Sequence, residues 1–91
     1  MSVVDNPGAS RYEVFVEGEA GEVGGFVDYL VEGSRIVFTH TEVVVEGRGL
    51  GSELVRFALI DARDRGLGVV AQCPFVKAYL EKHPELGVVE V

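Results

Sequence analysis

The residue types that could do chemistry gather at two places in this chain. The first is Val45-Glu46-Gly47-Arg48-Gly49-Leu50-Gly51-Ser52, with glycine at alternate positions between a β-like run and a helix-like run. Glycine lacks a Cβ, so such a turn admits unusual dihedrals and lets a ligand approach the backbone closely. Amides converging at the start of the following helix make a seat for a phosphate or pyrophosphate, and Arg48 can add a positive charge. No Gly-Lys-Ser/Thr follows, which excludes a nucleoside triphosphate loop. The last glycine of G-x-G-x-x-G is also missing, which argues against a dinucleotide fold. A flexible strand-to-helix turn that binds nothing is the plain alternative. The second place is Cys73-Pro74. Proline favours a first helical turn, and a thiol at a helix N-terminus is drawn toward the thiolate, a nucleophile. A lone cysteine can equally pack as an inert small hydrophobe.

Hydrophobic periodicity supplies the elements that must hold these groups. Arg11 to Glu17 alternates, with Tyr12, Val14 and Val16 on one side and Glu13, Phe15 and Glu17 on the other, as a half-buried strand does. Gly18 to Gly21 is a turn, Glu22 to Val31 a second strand, and Arg35 to Val45 a third; Glu32-Gly33-Ser34 reverses the chain between them. Leu50, Leu54, Phe57 and Ala58, joined by Val55, Leu59 and Ala62, form the apolar stripe of a helix that Arg65-Gly66 stops. Gly68 to Gln72 reads as a buried strand. Phe75, Val76, Tyr79 and Leu80 mark a second helix ending at His83-Pro84, and Gly87 to Val91 a last strand. The expected fold is α/β of the α+β kind, β-β-β-α-β-α-β. Its sheet is mixed and mostly antiparallel, with the Gly68 strand parallel to the Arg35 strand. Met1 to Ser10, broken by Asn6-Pro7-Gly8, reads as a flexible lead-in to one domain over residues 11–91.

Composition narrows the function. Eight Lys and Arg against 15 Asp and Glu give a net charge of −7 over 91 residues, which argues against a nucleic-acid partner. One cysteine excludes a disulfide framework and a thiolate-only zinc site, and no ligand spacing suggests another metal. No run of residues is apolar enough for a membrane span, and no secretory signal is visible. The expectation is a reduced, cytoplasmic protein, a monomer or weak homodimer.

The segments His40-Thr41-Glu42-Val43, Gly47-Arg48-Gly49-Leu50-Gly51 and Cys73-Pro74-Phe75-Val76 with Tyr79, in this order, resemble the minimal GNAT-type N-acetyltransferases. The resemblance runs from about Arg11 to Val89. It implies an acetyl-coenzyme A site without the two N-terminal helices of larger relatives, which leaves the acceptor side open. In that reading Thr41, Val43, Val44 and Val45 line the pantetheine arm, and Gly47, Arg48, Gly49, Leu50, Gly51 and Ser52 hold the pyrophosphate. Glu46 stands where the family's loop has a glutamine or arginine, and a carboxylate there opposes a diphosphate.

Acetyl transfer from a thioester to an amine needs a neutral amine, a polarised carbonyl and a proton for the departing thiolate. Glu42, just before the glycine turn, can deprotonate an ammonium, or be one more surface carboxylate among many. By the resemblance Cys73 faces the thioester, which permits an acetyl-cysteine intermediate, and Tyr79 matches the tyrosine that acts as an acid near the coenzyme sulfur. Tyr79 can instead be a core ring with its hydroxyl at the edge. His40 can orient Cys73 or the substrate, or be a structural strand histidine. The resulting expectation is an N-acetyltransferase acting on an amine of a small molecule or peptide. The alternatives are a coenzyme A-binding or interaction module without turnover, and a cysteine–histidine thiol enzyme or redox sensor.

Overall fold

A computed structural model describes residues 2–16, 22–44, 47 and 49–91. The chain forms β1 (Ser2–Asn6), a 3-10 turn at Pro7–Ala9, β2 (Arg11–Phe15), β3 (Val23–Glu32) and β4 (Arg35–Val43). Helix α1 (Leu50–Asp64), β5 (Gly68–Ala71), α2 (Pro74–Lys82) and a 3-10 turn at Pro84–Leu86 follow. The strands make one sheet in the order β1-β2-β3-β4-β5. All neighbours are antiparallel except β4 and β5, which run parallel from Arg35↔Gly68 to Phe38↔Ala71. The architecture is the expected mixed α+β sheet with two helices.

Two ends of the chain differ from the sequence reading. The segment expected to be a flexible lead-in is a strand, β1, paired with β2 from Ser2↔Phe15 to Asn6↔Arg11. The breaker cluster forms the reversal itself: Pro7–Ala9 is a single 3-10 turn, and Ser10 closes it with a positive φ of 53° and a hydrogen bond to the Pro7 carbonyl. At the other end, the expected strand over Gly87 to Val91 is reduced to one parallel bridge, Val69↔Glu90. The Val69 amide donates to the Val89 carbonyl and the Val91 amide to the Val69 carbonyl. The expected turn at Gly18 to Gly21 lies outside the described residues.

Both helices pack on one face of the sheet. Leu50, Leu54, Val55, Ala58, Leu59 and Ala62 of α1 are buried against Tyr12, Val14, Val27, Tyr29, Ile36 and Phe38, with Val76 of α2 in the same cluster. Each large side chain buried this way stabilises the fold by about 1.5–3 kcal/mol. Phe57, expected in the stripe, is 42% exposed at its margin and meets Tyr12 edge-on. Helix α1 ends as its sequence dictates. Gly66 takes a φ of +74°, its amide bonds the Arg63 carbonyl, and the Leu67 amide bonds the Ala62 carbonyl, a Schellman closure.

A polar cluster locks β1 to the rest of the fold. The Tyr29 hydroxyl donates to Asp5 Oδ1 at 2.6 Å and the Tyr12 hydroxyl to Asp61 Oδ2 at 2.5 Å. Arg65 joins the two carboxylates at 2.9 Å and 3.2 Å. Burial, reinforced by the Asp5 hydrogen bond, pushes the Tyr29 hydroxyl up to about 12. Burial and Asp61 drive Tyr12 up further. Among the described residues, no helix is long and apolar enough to cross a membrane.

Candidate functional site

The site lies along the stretch of β4 that runs on past the end of β5, and this stretch is the opening of the sheet. Pairing of β4 with β5 stops at Phe38↔Ala71, where the Phe38 carbonyl accepts both the Gln72 and Cys73 amides at 3.1 Å. At the same point the β3–β4 register jumps from Tyr29↔Phe38 to Asp28↔His40, leaving Thr39 without a partner. This β-bulge bends β4 just where β5 ends and turns into α2. It also changes which side chains face the helices. Uninterrupted alternation would set His40 and Glu42 on the face of Ile36 and Phe38. With the extra residue, Thr41 pairs with buried Val27 and Val43 with Gly25 on the helix face, while His40 and Glu42 sit on the opposite, uncovered face.

Cys73 closes the inner end of the opening. It is the N-cap residue of α2, 4% exposed, with Sγ 3.1 Å from Thr41 Oγ1. Burial raises its pKa, but hydrogen bonds from the Thr41 hydroxyl, the Val76 and Phe75 amides and the Thr41 amide outweigh burial and hold the thiol below its ordinary value. These donors stabilise a thiolate in the way a helix N-terminus is expected to. The Val44 amide donates to the Gly24 carbonyl at 2.8 Å. Alternation along an antiparallel strand therefore turns the backbone groups of Thr41 and Val43 away from β3, toward the opening.

The N-terminus of α1 borders the same opening. Its N-cap is Gly49, with a φ of 70° and no capping side chain. The amides of Leu50, Gly51 and Ser52 in the first turn therefore lack intrahelical acceptors. They face a cavity of about 250 Å³ lined by Val43, Gly47, Gly49, Leu50, Gly51, Ser52 and Phe75. Gly51 serves packing instead of dihedral freedom: a Cβ there would stand 2.8 Å from Phe75 Cζ and 3.1 Å from Val43 Cγ2. Arg48, Val45 and Glu46 lie outside the described residues. A second groove of about 410 Å³ continues between the helices, lined by Ser52, Phe75, Ala78, Tyr79, Lys82 and His83.

The structure thus brings some of the sequence-derived residues together and separates others. Thr41, Val43, Gly47, Gly49, Leu50, Gly51 and Ser52 share the helix side of the opening with Cys73. Tyr79 lines the second groove with its ring stacked on His83 at 4.2 Å. His40 does not orient Cys73, because the bulge sends it to the other face, where its Nε2 lies 3.9 Å from Glu42 Oε1 and its ring 6.1 Å from Phe26. The thiol's partner is Thr41, which sequence reasoning placed only beside the cofactor. Phe75 and Gly24 were not singled out as site residues. Gly24, where a Cβ would stand 2.8 Å from Leu50 Cδ1, lets the start of α1 approach β3.

A mixed sheet that parts beside an uncapped helix N-terminus, with a donor-rich thiol at the apex, is the framework of an acyl-transfer fold. The chain belongs to the GCN5-related N-acetyltransferase family, whose sequence profile matches residues 11–89, and acetyl transfer is its reaction class. Among solved structures it is similar to a GCN5-like candidate N-acetyltransferase from Staphylococcus aureus, determined in solution by NMR. The TM-score is 0.71 at 24% identity, over 99% of this chain and 87% of that one. Among curated proteins none matches.

Proposed function

We propose that the chain moves an acetyl group from acetyl-coenzyme A to an amine across the opening between β4 and β5. The observation that carries this reading is the coincidence of three features at one place: the end of β4–β5 pairing, the Thr39 bulge and the uncapped start of α1. The residues fit the coenzyme. The amides of Leu50, Gly51 and Ser52, without an acceptor among the described residues, in a cradle where glycines 47 and 49 leave open space, suit a pyrophosphate. The outward backbone of Val43 and the outward carbonyl of Thr41 suit pairing with an amide-bearing arm. When bound, the coenzyme supplies a thioester as the acetyl donor.

The chain's own groups divide by face. Thr41 and the amides at the start of α2 hold Cys73 toward the thiolate, ready to carry the acetyl group on its sulfur. On the uncovered face, Glu42 with His40 beside it accepts the proton of an arriving ammonium, freeing its lone pair. Direct transfer needs the second set alone; transfer through Cys73 needs both. Intact-mass measurement after incubation with acetyl-coenzyme A separates the routes. A gain of about 42 Da that Cys73→Ser abolishes marks the covalent route, and turnover without it marks direct attack. The reading falls if coenzyme A at millimolar concentration neither raises the melting temperature nor perturbs the amides of Leu50, Gly51 and Ser52.

Among the described residues no helix covers the His40 face, which favours a second reading, a coenzyme A-binding module without turnover. Thiol release against a panel of amines decides between the two. The free, buried thiol of Cys73 suits a reduced, cytoplasmic setting.

A further inference from the structure

The uncovered face of the sheet has the composition of a docking surface for the acceptor. Strand register sets its rows: Leu30, Val37 and Val70 cross the sheet before the opening, Asn6, Arg11, Asp28 and His40 at it, and Val4, Glu13, Phe26 and Glu42 beyond it. Leu30 is 53% exposed and Val4 41%, whereas Val37 and Glu13 are buried beneath their neighbours. The cations here are already engaged: Arg11 bridges Glu13 at 2.7 Å and lies over the Phe26 ring at 4.6 Å, and Arg35 bridges Glu32 at 3.1 Å. Among the described residues, Asp28 and Glu42 have no Lys or Arg partner. Arg11 stands opposite Asp28 in register but bonds Glu13, so the face keeps an acidic excess at Asp28 and Glu42, flanked by exposed Leu30.

Resting on the acetyltransferase reading, we propose that the acceptor is a basic, partly apolar polypeptide segment laid across this face, with its amine at the opening beside Asp28 and Glu42. Charge complementarity selects a cationic amine. The shape selects a chain over a small amine. A five-stranded sheet is roughly 20 Å across at about 4.8 Å per strand, and both helices lie on its other side. Small-molecule sites bury roughly 70–90% of their ligand in a concavity, whereas a flat face leaves a small amine half in water. An extended peptide can cover exposed Leu30 and the acidic row together.

Titration of the isotope-labelled chain by NMR tests this, with a blocked Gly-Leu-Lys-Leu-Ser peptide, spermidine and coenzyme A added separately. The peptide is expected to move the amides of Arg11, Phe26, Asp28, Leu30 and Val70, and to bind at least tenfold more tightly than spermidine. Leu30→Gln and Asp28→Asn are each expected to weaken the peptide several-fold and leave coenzyme A binding unchanged. The proposal is overturned if spermidine binds as well as the peptide. It is also overturned if those amides do not respond, or if sedimentation shows a dimer that Leu30→Gln dissociates. Coenzyme A shifts at Leu50, Gly51 and Ser52 report on the acetyltransferase reading separately, so either can fail alone.

Discussion

Tyr29→Phe removes one hydroxyl from the cluster that fastens β1, and its effect should reverse with pH. At neutral pH the Tyr29 hydroxyl donates to Asp5 at 2.6 Å, and a hydrogen bond to a charged group contributes about 1.5–3 kcal/mol. Arg65 still holds Asp5 in the variant, so the loss should sit near the lower end of that range. The folded protein disfavours the phenolate, chiefly through burial and then through Asp5, moving Tyr29 from 10.0 to about 12. A raised pKa on an acid that is neutral when folded gives stability that is whole below 10.0. That stability is lost as pH climbs through about 12. The difference between 10.0 and about 12 corresponds to about 2.7 kcal/mol,. The wild type should therefore lose its advantage over Tyr29→Phe across this window, and the variant should equal or exceed it near its top. Tyr12, raised further by burial and Asp61, stays protonated in the folded state across this window and cancels. The assay is urea unfolding followed by far-UV circular dichroism, since the chain has no tryptophan. A gap that stays constant from about pH 8 to about pH 12 would refute the reasoning, because it would mean the hydroxyl titrates as if in water.

Three other substitutions have equally definite outcomes. Thr41→Val removes the hydroxyl 3.1 Å from Cys73 Sγ, whose hydrogen bond favours the thiolate; a hydrogen bond of about 1 kcal/mol corresponds to roughly fivefold fewer thiolates, read as slower iodoacetamide alkylation at neutral pH, and an unchanged rate contradicts it. Gly49→Glu puts a carboxylate at the start of α1 and a side chain at a φ of 70°, and should abolish the melting-temperature shift given by coenzyme A; a retained shift removes that cradle from the site. Gly24→Ala sets a Cβ 2.8 Å from both Leu50 Cδ1 and Val16 Cγ2. Overpacking of about 1–3 kcal/mol then exceeds the roughly 0.5–1 kcal/mol that alanine recovers over glycine in a strand, so chemical denaturation should show a net loss, and a gain would refute the tight contact.

Most of the scaffold was legible because its periods are clean: the α1 stripe, its Arg65-Gly66 stop, and the parallel placement of β5 beside β4 all follow from local pattern. The N-terminal strand was not, because its pairing rests on a distant contact, Asp5 with Tyr29 and Arg65, and on a turn built from residues that normally interrupt structure. The division of the site was hidden for another reason. Nothing in Phe38-Thr39-His40-Thr41 announces an unpaired residue, so simple alternation assigns His40 and Glu42 to the wrong side. Cys73 was visible through Pro74, whereas its hydroxyl partner lies 32 positions away in the chain.

The bulge at Thr39 decides the sidedness of this stretch in a way that substitution scans would miss. Pairing Thr39 regularly, with no bulge and no residue removed, would exchange the two compartments, since a one-residue slip inverts every side chain beyond it,. His40 and Glu42 would be driven under the helices, and Thr41 and Val43 thrown outward. Cys73 would lose its hydroxyl donor at the same stroke. The side chains on either bank of the opening can be exchanged one by one, but the unpaired residue between Phe38 and His40 is what keeps Thr41 and Glu42 on separate sides of one thin wall.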